Sequence, residues 1–425
     1  MGCSCGVAGK PAGVHEDRKL RRRLSLEKVD PEGIADCDVD RGTLMQLDQA
    51  NLLDAINTAV SRLSGLPAET PTLTRRLSFT IGSETDSDMH RRQSFQGKDF
   101  RTVTAGAEKD VLDPSSFGIG FACKKGLKPV SPNQDSFLIL KVDKLVSLYG
   151  VFDGHGRRGH DVSDFVKRNL AKLLVQEESF MTDPPQALRN AFYKTQLILE
   201  QETRDPKEGT LDASVSGTTT SLVVHYHETD TLYIAHVGDS RCVMGVGRES
   251  SIIAVDLCND HKPELPDEKK RIHANGGQVR KNPYDVPHRV YVKGERYPGL
   301  AMSRALGDLV GYLHAGISAE PSVSARRVRR CPADLDAGEN QPASPPGAVD
   351  DVAGDPPGQD RFMLLCSDGV WEFLSSQQAV DICAAFPKER STEAVETLCK
   401  KAWDRWMQEE MGRVVDDITA VIVWF

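Results

Sequence analysis

The sequence predicts an α+β fold in which two packed antiparallel β-sheets form a central sandwich flanked by helices, behind a disordered N-terminal tail. Three observations predict it. Short apolar runs bounded by turn residues follow one another at hairpin spacing from residue 117 onward. Stripes of apolar residues at helical period fall in separate groups between these runs, as in layered sheets with helices outside. The first hundred residues are rich in Ser, Thr, Asp and Arg and short of aromatics, too polar to bury a core.

In chain order, residues 1–110 read as a basic, Ser-rich regulatory tail, mostly disordered. One helical pattern, Leu44 to Leu63, carries Leu52, Leu53, Ile56, Val60 and Leu63 on one face. The start, Met1-Gly2-Cys3-Ser4-Cys5-Gly6, sets a penultimate glycine beside two cysteines. That is the arrangement for N-myristoylation at Gly2 followed by palmitoylation at Cys3 and Cys5, although Gly6 stands where the motif has Ser or Thr. One acyl chain anchors only marginally, and Arg18, Lys19, Arg21, Arg22 and Arg23 supply the basic patch that stable anchoring to a cytoplasmic membrane face needs. Three copies of one pattern, Arg22-Arg23-Leu24-Ser25, Arg75-Arg76-Leu77-Ser78 and Arg91-Arg92-Gln93-Ser94, resemble the Arg-Arg-x-Ser sites of cyclic-nucleotide-dependent kinases. Ser25, Ser78 and Ser94 are therefore candidate phosphorylation sites, and a phosphate on Ser25 would oppose the basic patch.

The folded domain, residues 111–425, begins in earnest near Ser116. Strands are predicted over Phe117–Ala122, Ser136–Leu140, Val146–Phe152, Ser221–Tyr226, Thr231–Val237, Arg241–Val246, Ser251–Val255, Arg361–Ser367 and Ile418–Trp424. Val162, Phe165, Val166, Leu170, Leu173 and Leu174 form one helical stripe; Leu188, Ala191, Phe192, Thr195 and Ile198 a second; Val395, Leu398, Cys399, Ala402, Trp403 and Trp406 a third. Residues 325–360, rich in Pro, Gly, Ala and Asp, read as an inserted surface loop.

A chain of 425 residues with 39% hydrophobic residues can bury a core. Its net charge of −9 argues against general nucleic-acid binding, and no apolar run approaches the roughly 18 residues of a membrane span. Ten cysteines, with neither zinc-type pairing nor a secretory leader, predict reduced thiols in a cytosolic compartment, and nothing in the sequence calls for more than a monomer.

The chemistry concentrates at strand ends. Val151-Phe152-Asp153-Gly154-His155-Gly156 runs an apolar strand into a carboxylate, two glycines and an imidazole, so side chains and bare backbone meet at a sheet edge. Four similar acidic strand ends stand at Asn133-Gln134-Asp135, Val237-Gly238-Asp239-Ser240, Cys366-Ser367-Asp368-Gly369 and Asp416-Asp417-Ile418. Carboxylates and carbonyls without thiolate company select hard ions, Mg²⁺ or Mn²⁺, over zinc. Two such ions about 3.5–4 Å apart can share a water, lower its pKa and aim it at phosphorus.

With these motifs in view, the chain over about residues 116–425 resembles the metal-dependent type 2C protein phosphatases, the PPM family of Ser/Thr phosphatases. Further matches are Ser216-Gly217-Thr218-Thr219-Thr220 and Leu300-Ala301-Met302-Ser303-Arg304-Ala305-Leu306-Gly307-Asp308. The resemblance implies a PPM-type αββα sandwich and hydrolysis of phosphoserine and phosphothreonine in protein substrates without a phosphoenzyme. It implies Asp153 bridging two ions with the Gly154 carbonyl on the second, Asp368 and Asp416 completing the first, Asp135 serving the second, and Asp239 at a weaker third. His155 becomes the general acid to the leaving alkoxide, with Arg304 counted among the catalytic residues, and residues 260–300 become a flap beside the site. The family's phosphate-binding cation precedes the first acidic motif. Here the spacing is stretched, and Lys128 and Lys125 are both candidates. Arg157 and Arg158, directly after the Gly-His-Gly turn, are either steering charges or solvated ones. Gln134 stands where some relatives have Glu. The alternatives on the same fold are a pseudophosphatase and a membrane-tethered scaffold. A pseudophosphatase would have lost metal aspartates, whereas this chain keeps Asp153, Asp368 and Asp416; in the scaffold catalysis is incidental.

Overall fold

The structure, a computed structural model, describes residues 76–82, 101–104, 107–111, 114–128, 131–142, 145–204, 211–248, 251–281, 287–330 and 356–425. Its strands in chain order are β1 (Arg76–Gly82), β2 (Arg101–Thr104), β3 (Ala107–Val111), β4 (Ile119–Lys124), β5 (Asp135–Val142), β6 (Val146–His155), β7 (Gly217–Thr218), β8 (Thr220–Tyr226), β9 (Thr231–Val237), β10 (Arg241–Arg248), β11 (Ser251–Asp256), β12 (Gly277–Lys281), β13 (His288–Val292), β14 (Pro298–Leu300), β15 (Leu306–Gly307), β16 (Ser322–Arg327), β17 (Gln359–Cys366) and β18 (Ile418–Trp424). The helices are α1 (Gly159–Gln176), α2 (Pro184–Arg204), α3 (Pro266–Ala274), α4 (Leu309–His314), α5 (Asp368–Trp371), α6 (Ser376–Ala384) and α7 (Ser391–Glu409).

The larger sheet runs β16-β9-β8-β6-β5-β1-β2-β3, with the short β7 and β15 branching from β6; the second runs β11-β10-β17-β18-β4. All of these pairings are antiparallel. Alternation explains the stacking. In β5, Phe137 and Ile139 point into the space between the sheets, where they meet Phe121, Tyr149, Ile234, Met244, Leu365 and Val421. Leu138 and Leu140, on the opposite face, are just as buried, because α1 packs over β5 and β6. Strands covered on both faces lose the apolar/polar alternation and read as mostly apolar runs, which is how β8, β9 and β18 appear in the sequence. The outer face of the second sheet is closed by α6 and α7 through Val380, Cys383, Val395, Leu398 and Trp406. The start of α6 is fixed by a capping box, Ser375 with Gln378.

Three differences from the sequence reading have physical causes. The larger sheet reaches back into residues assigned to the tail: β1 pairs with β5 on one side and β2 on the other. Leu77, Phe79 and Ile81 alternate with Ser78 and Thr80, a strand pattern that composition averaged over a hundred residues hides. Residues 325–360 are not all surface loop. Arg326 and Val328 are buried, β17 begins at Gln359, and only 331–355 lie outside the described residues. Finally, residues 260–300 hold α3 and a separate three-stranded sheet, β12-β13-β14, around a small core of Ile272, Val290, Ala305 and Ile317. The predicted helix over 44–63, the acylation residues Gly2, Cys3 and Cys5, and Ser25 and Ser94 also lie outside the described residues. Ser78 falls inside β1. Among the described residues no helix is long and apolar enough to cross a membrane.

Candidate active site

Antiparallel register brings residues distant in sequence together. Asp135 opens β5 and Asp153 stands near the end of β6, and the two are direct cross-strand partners. Asp368 begins α5 where β17 ends, and Asp416 lies two residues before β18, the neighbour of β17. Asp239 follows β9 in the turn before β10. All five carboxylates therefore sit at one end of the sandwich.

Their electrostatics show how close they are. Withdrawal from water, then the charges of Asp368, Asp135, Asp416 and Asp239, hold the Asp153 carboxyl well above the usual carboxylate range. Asp368 is pushed up by burial and then by Asp416 and Asp239, while a hydrogen bond to Asp153 opposes the shift. Asp135 is raised by burial and next by Asp417, although Ser367 Oγ donates to its Oδ2 at 2.8 Å. Clustered carboxylates that repel one another gain from a cation, and two oxygens, Oδ1 of Asp135 and Oδ1 of Asp239, are buried without any hydrogen-bond partner. An all-oxygen donor set with orphaned acceptors fits a hard divalent ion. As placed, no group of three or more His, Cys, Asp or Glu among the described residues makes a finished metal shell. Two ammonium groups stand among the carboxylates instead.

These are Lys128, paired with Asp416, and Lys262, whose Nζ donates to Asp239 Oδ2 at 2.7 Å. Burial would lower both lysine pKa values; the facing carboxylates overturn this and raise them. Of the two lysines proposed from sequence, Lys128 is thus in the cluster. Lys125 lies three residues earlier, just past the end of β4. Arg304 is spent elsewhere: its guanidinium binds Glu268 at 2.6 Å and the Glu320 carbonyl at 3.0 Å. Glu268 also receives two bonds from Arg271 and one from Ser303, so Arg304 clamps α3 to the 303–304 loop rather than facing the aspartates. Burial alone would raise the Glu268 carboxyl, but these donors hold it far below the usual range.

His155 Nε2 lies 2.5 Å from Asp308 Oδ2. Burial would lower the imidazole pKa, but the Asp308 charge and hydrogen bond raise it. The close approach needs Gly217: a Cβ there would fall 2.3 Å from Asp308 Oδ2 and 2.8 Å from His155 Nε2. Asp308 itself adopts φ 46 at the start of α4 and is fully buried, which holds its carboxylate in one place.

Four residues acquire roles that sequence reasoning did not assign. Asp308 was quoted within a motif without a function. Lys262 was passed over inside the flap. Asp417 accepts backbone N–H groups of Gly126 at 2.7 Å and Gln134 at 2.9 Å, which ties two loops together and leaves Asp416 to face the cluster. Gln134 donates from Nε2 to the Gly156 carbonyl at 2.7 Å and so fixes the Gly-His-Gly turn rather than facing an ion. Adjacent Asp416 and Asp417, in the two residues leading into β18, take different jobs that nothing in their sequence separates. Arg157 and Arg158 are exposed at the head of α1.

Comparison with known proteins agrees with this geometry. A profile described as protein phosphatase 2C matches residues 130–331 and 352–411. Among similar curated proteins are a probable protein phosphatase 2C 35 of Arabidopsis thaliana, 32% identical over 71% of this chain and 81% of its own, and a probable protein phosphatase 2C 48 of Oryza sativa subsp. japonica, 32% identical over 65% and 75%. Two solved structures share the fold. A serine-threonine phosphatase 2C from Toxoplasma gondii has a TM-score of 0.56 at 22% identity and covers 72% of this chain and 94% of that one. A C. elegans sex-determining protein has a TM-score of 0.52 at 20% identity, covering 72% and 64%.

Proposed function

The chain belongs to the protein phosphatase 2C family of serine/threonine phosphatases, and on that footing we propose that the acidic end of its sandwich is a divalent-metal site that hydrolyses phosphoserine and phosphothreonine in proteins. The observation that carries the reading is the cross-strand pair Asp135 and Asp153, whose carboxylates share one end of the sandwich with Asp368, Asp416 and Asp239. Asp153, Asp368 and Asp416, with Asp135 and the Gly154 carbonyl, are the donors for two Mg²⁺ or Mn²⁺ ions, and Asp239 for a weaker third. Bound there, such ions supply Lewis-acid stabilisation of charge on the phosphoryl oxygens and an activated water.

The chain's own residues do the rest. A Cβ on Gly154 would meet Gly159 O at 2.3 Å, so only glycine lets this backbone lie against α1 and keep its place beside Asp153. Lys128 and Lys262 neutralise part of the cluster and are placed to take a phosphate oxygen when their carboxylates are otherwise engaged. His155, whose hold on a proton the Asp308 carboxylate strengthens, is the group to give a proton to the departing serine or threonine oxygen. Hydrolysis of p-nitrophenyl phosphate and of a phosphothreonine peptide should require Mn²⁺ or Mg²⁺ and be abolished by EDTA; turnover indifferent to EDTA would overturn the reading.

The tail belongs to the same proposal as its targeting and regulatory part. Acylation at Gly2, Cys3 and Cys5 would hold the enzyme on the cytoplasmic face of a membrane, and a basophilic kinase acting on Ser25 would loosen it. Ser78 is the poorest of the three kinase targets, because β1 is paired on both sides and must leave the sheet to enter a kinase cleft as an extended chain. Ser25→Glu and Ser25→Ala proteins should partition differently between membrane and cytosol; equal retention contradicts the switch.

A further inference from the structure

The rim of the acidic cluster is apolar on one side. Leu127, Met407, Met411 and Val414 are exposed by 40%, 38%, 73% and 40%. They lie on two stretches of backbone, 126–128 and 407–414, that meet before β18, interspersed with the exposed Gln408, Glu409, Glu410 and Arg413. Leu127 N donates to Val415 O at 2.8 Å, which ties the loop before β5 to the loop before β18. Gly412 N donates to Met407 O at 2.9 Å, and a Cβ on Gly412 would touch the Met407 methyl at 3.4 Å, so the end of α7 folds back onto the same turn. Met411, with φ 51, holds its long apolar side chain into water from a backbone shape that glycine or asparagine adopts more easily. Folding alone gains nothing from that arrangement, and exposed apolar side chains grouped together mark contact surfaces.

The patch is continuous with the site. Leu127 precedes Lys128, which is paired with Asp416, and Val414 lies two residues before Asp416. An extended chain spans at most about 3.5 Å per residue, so Val414 is within about 7 Å of Asp416 and Met411 within about 17 Å. Those are the distances that separate a phosphoresidue from its neighbours about two to five positions away in a bound peptide. Resting on the phosphatase reading above, we propose that this rim is a substrate-docking surface that selects phosphoprotein segments carrying an aliphatic side chain about two to five residues from the phosphoserine or phosphothreonine. Two methionines make the surface adaptable, so it takes leucine, isoleucine, valine or methionine rather than a single residue.

The test uses the full chain with Mn²⁺ and two phosphothreonine peptides that differ only in Leu or Ser three residues from the phosphothreonine, on either side. With wild type, kcat/KM for the leucine peptide should exceed that for the serine peptide by about tenfold. In Met411→Ser/Val414→Ser that preference should vanish through a rise in KM, while the ratio of serine-peptide to p-nitrophenyl phosphate turnover stays that of wild type. Leu127→Ser provides a second variant that does not alter the turn after α7 and should lower the preference in the same direction. Turnover of p-nitrophenyl phosphate without any peptide preference overturns the docking surface alone, as does a preference that survives in both variants. No turnover of any substrate by wild type overturns the phosphatase reading and the surface with it. A second copy of the chain as the true occupant would appear as a concentration-dependent dimer that the serine variants dissolve, and that outcome also overturns the peptide assignment.

Discussion

Two ends of the same strands bury carboxylates in opposite ways. At the end where β9 and β17 begin, Asp360 is buried with Arg326, whose guanidinium binds both of its oxygens at 3.0 and 2.6 Å, and Arg329 adds a further bond at 3.2 Å. At the end where those strands finish, Asp135, Asp153 and Asp368 are surrounded by other carboxylates, and orphaned oxygens remain on Asp135 and Asp239. A carboxylate that meets a guanidinium in the interior is complete within the chain. One that meets other carboxylates repels them and gains from any cation that joins, which is why the second end is the one proposed as the site.

Matched substitutions at the two ends should therefore give opposite signs. Asp153→Asn should cut phosphatase turnover by several orders of magnitude, yet leave the metal-free melting temperature unchanged or higher, because one repelling charge is gone. Asp360→Ala should cost about 3–5 kcal/mol of stability, since it removes the buried carboxylate that the Arg326 and Arg329 guanidiniums both bind. A denaturant melt of both proteins in EDTA reads the contrast, and two losses of similar size would erase it.

A smaller effect separates orientation from chemistry. Asp308→Asn keeps the size of the side chain that faces His155 but removes its charge. Turnover of a phosphothreonine peptide should fall by about 10–100-fold, a part of what a general acid contributes. Turnover of p-nitrophenyl phosphate should fall much less, because nitrophenolate leaves without a proton. An equal fall on both substrates would make Asp308 a merely structural residue.

The smallest effect concerns the stacked rings of His236 and His261, 4.7 Å apart beneath the turn that carries Asp239. Burial holds His236 down to about 4, and burial followed by His236 itself holds His261 down to about 2. Both are neutral in the fold while the unfolded chain takes up protons from about pH 6.5 downward, so stability should fall as pH drops from about 6.5 towards 4. His236→Asn should melt lower at pH 7 but lose less between pH 7 and 4.5. Parallel melting curves for the two proteins would contradict the assignment.

Much of this was legible in the chain because the strands that position the site are buried on both faces. Thr231–Val237 and Ile418–Trp424 were read to the residue and Arg241–Val246 to within two, since buried, mostly apolar runs between turns admit few readings; Ser251–Val255 was read to within one although β11 is half-exposed. The three helical stripes likewise found α1, α2 and α7. The acidic strand ends Asp135, Asp153, Asp239, Asp368 and Asp416 were legible as a set, because a carboxylate that stops an apolar strand is costly without a purpose. What was not legible depends on partners chosen in space. β16 and β12 to β14 are short and half-polar, and β1 lies in a stretch whose average composition masks its alternation. Arg304 sat in a matching motif, yet its fate was decided by Glu268, 36 residues away in sequence. Lys262 looked like any surface lysine until Asp239 was placed opposite it.

The central claim is that the clustered aspartates await divalent cations, and thermal unfolding against Mn²⁺ concentration tests it most directly. Wild type should melt progressively higher as Mn²⁺ is raised from zero, by the increment that binding to the folded state alone confers, while Asp153→Asn stays flat. A wild-type melting temperature indifferent to Mn²⁺ and Mg²⁺, or a rise of equal size in Asp153→Asn, would contradict the account.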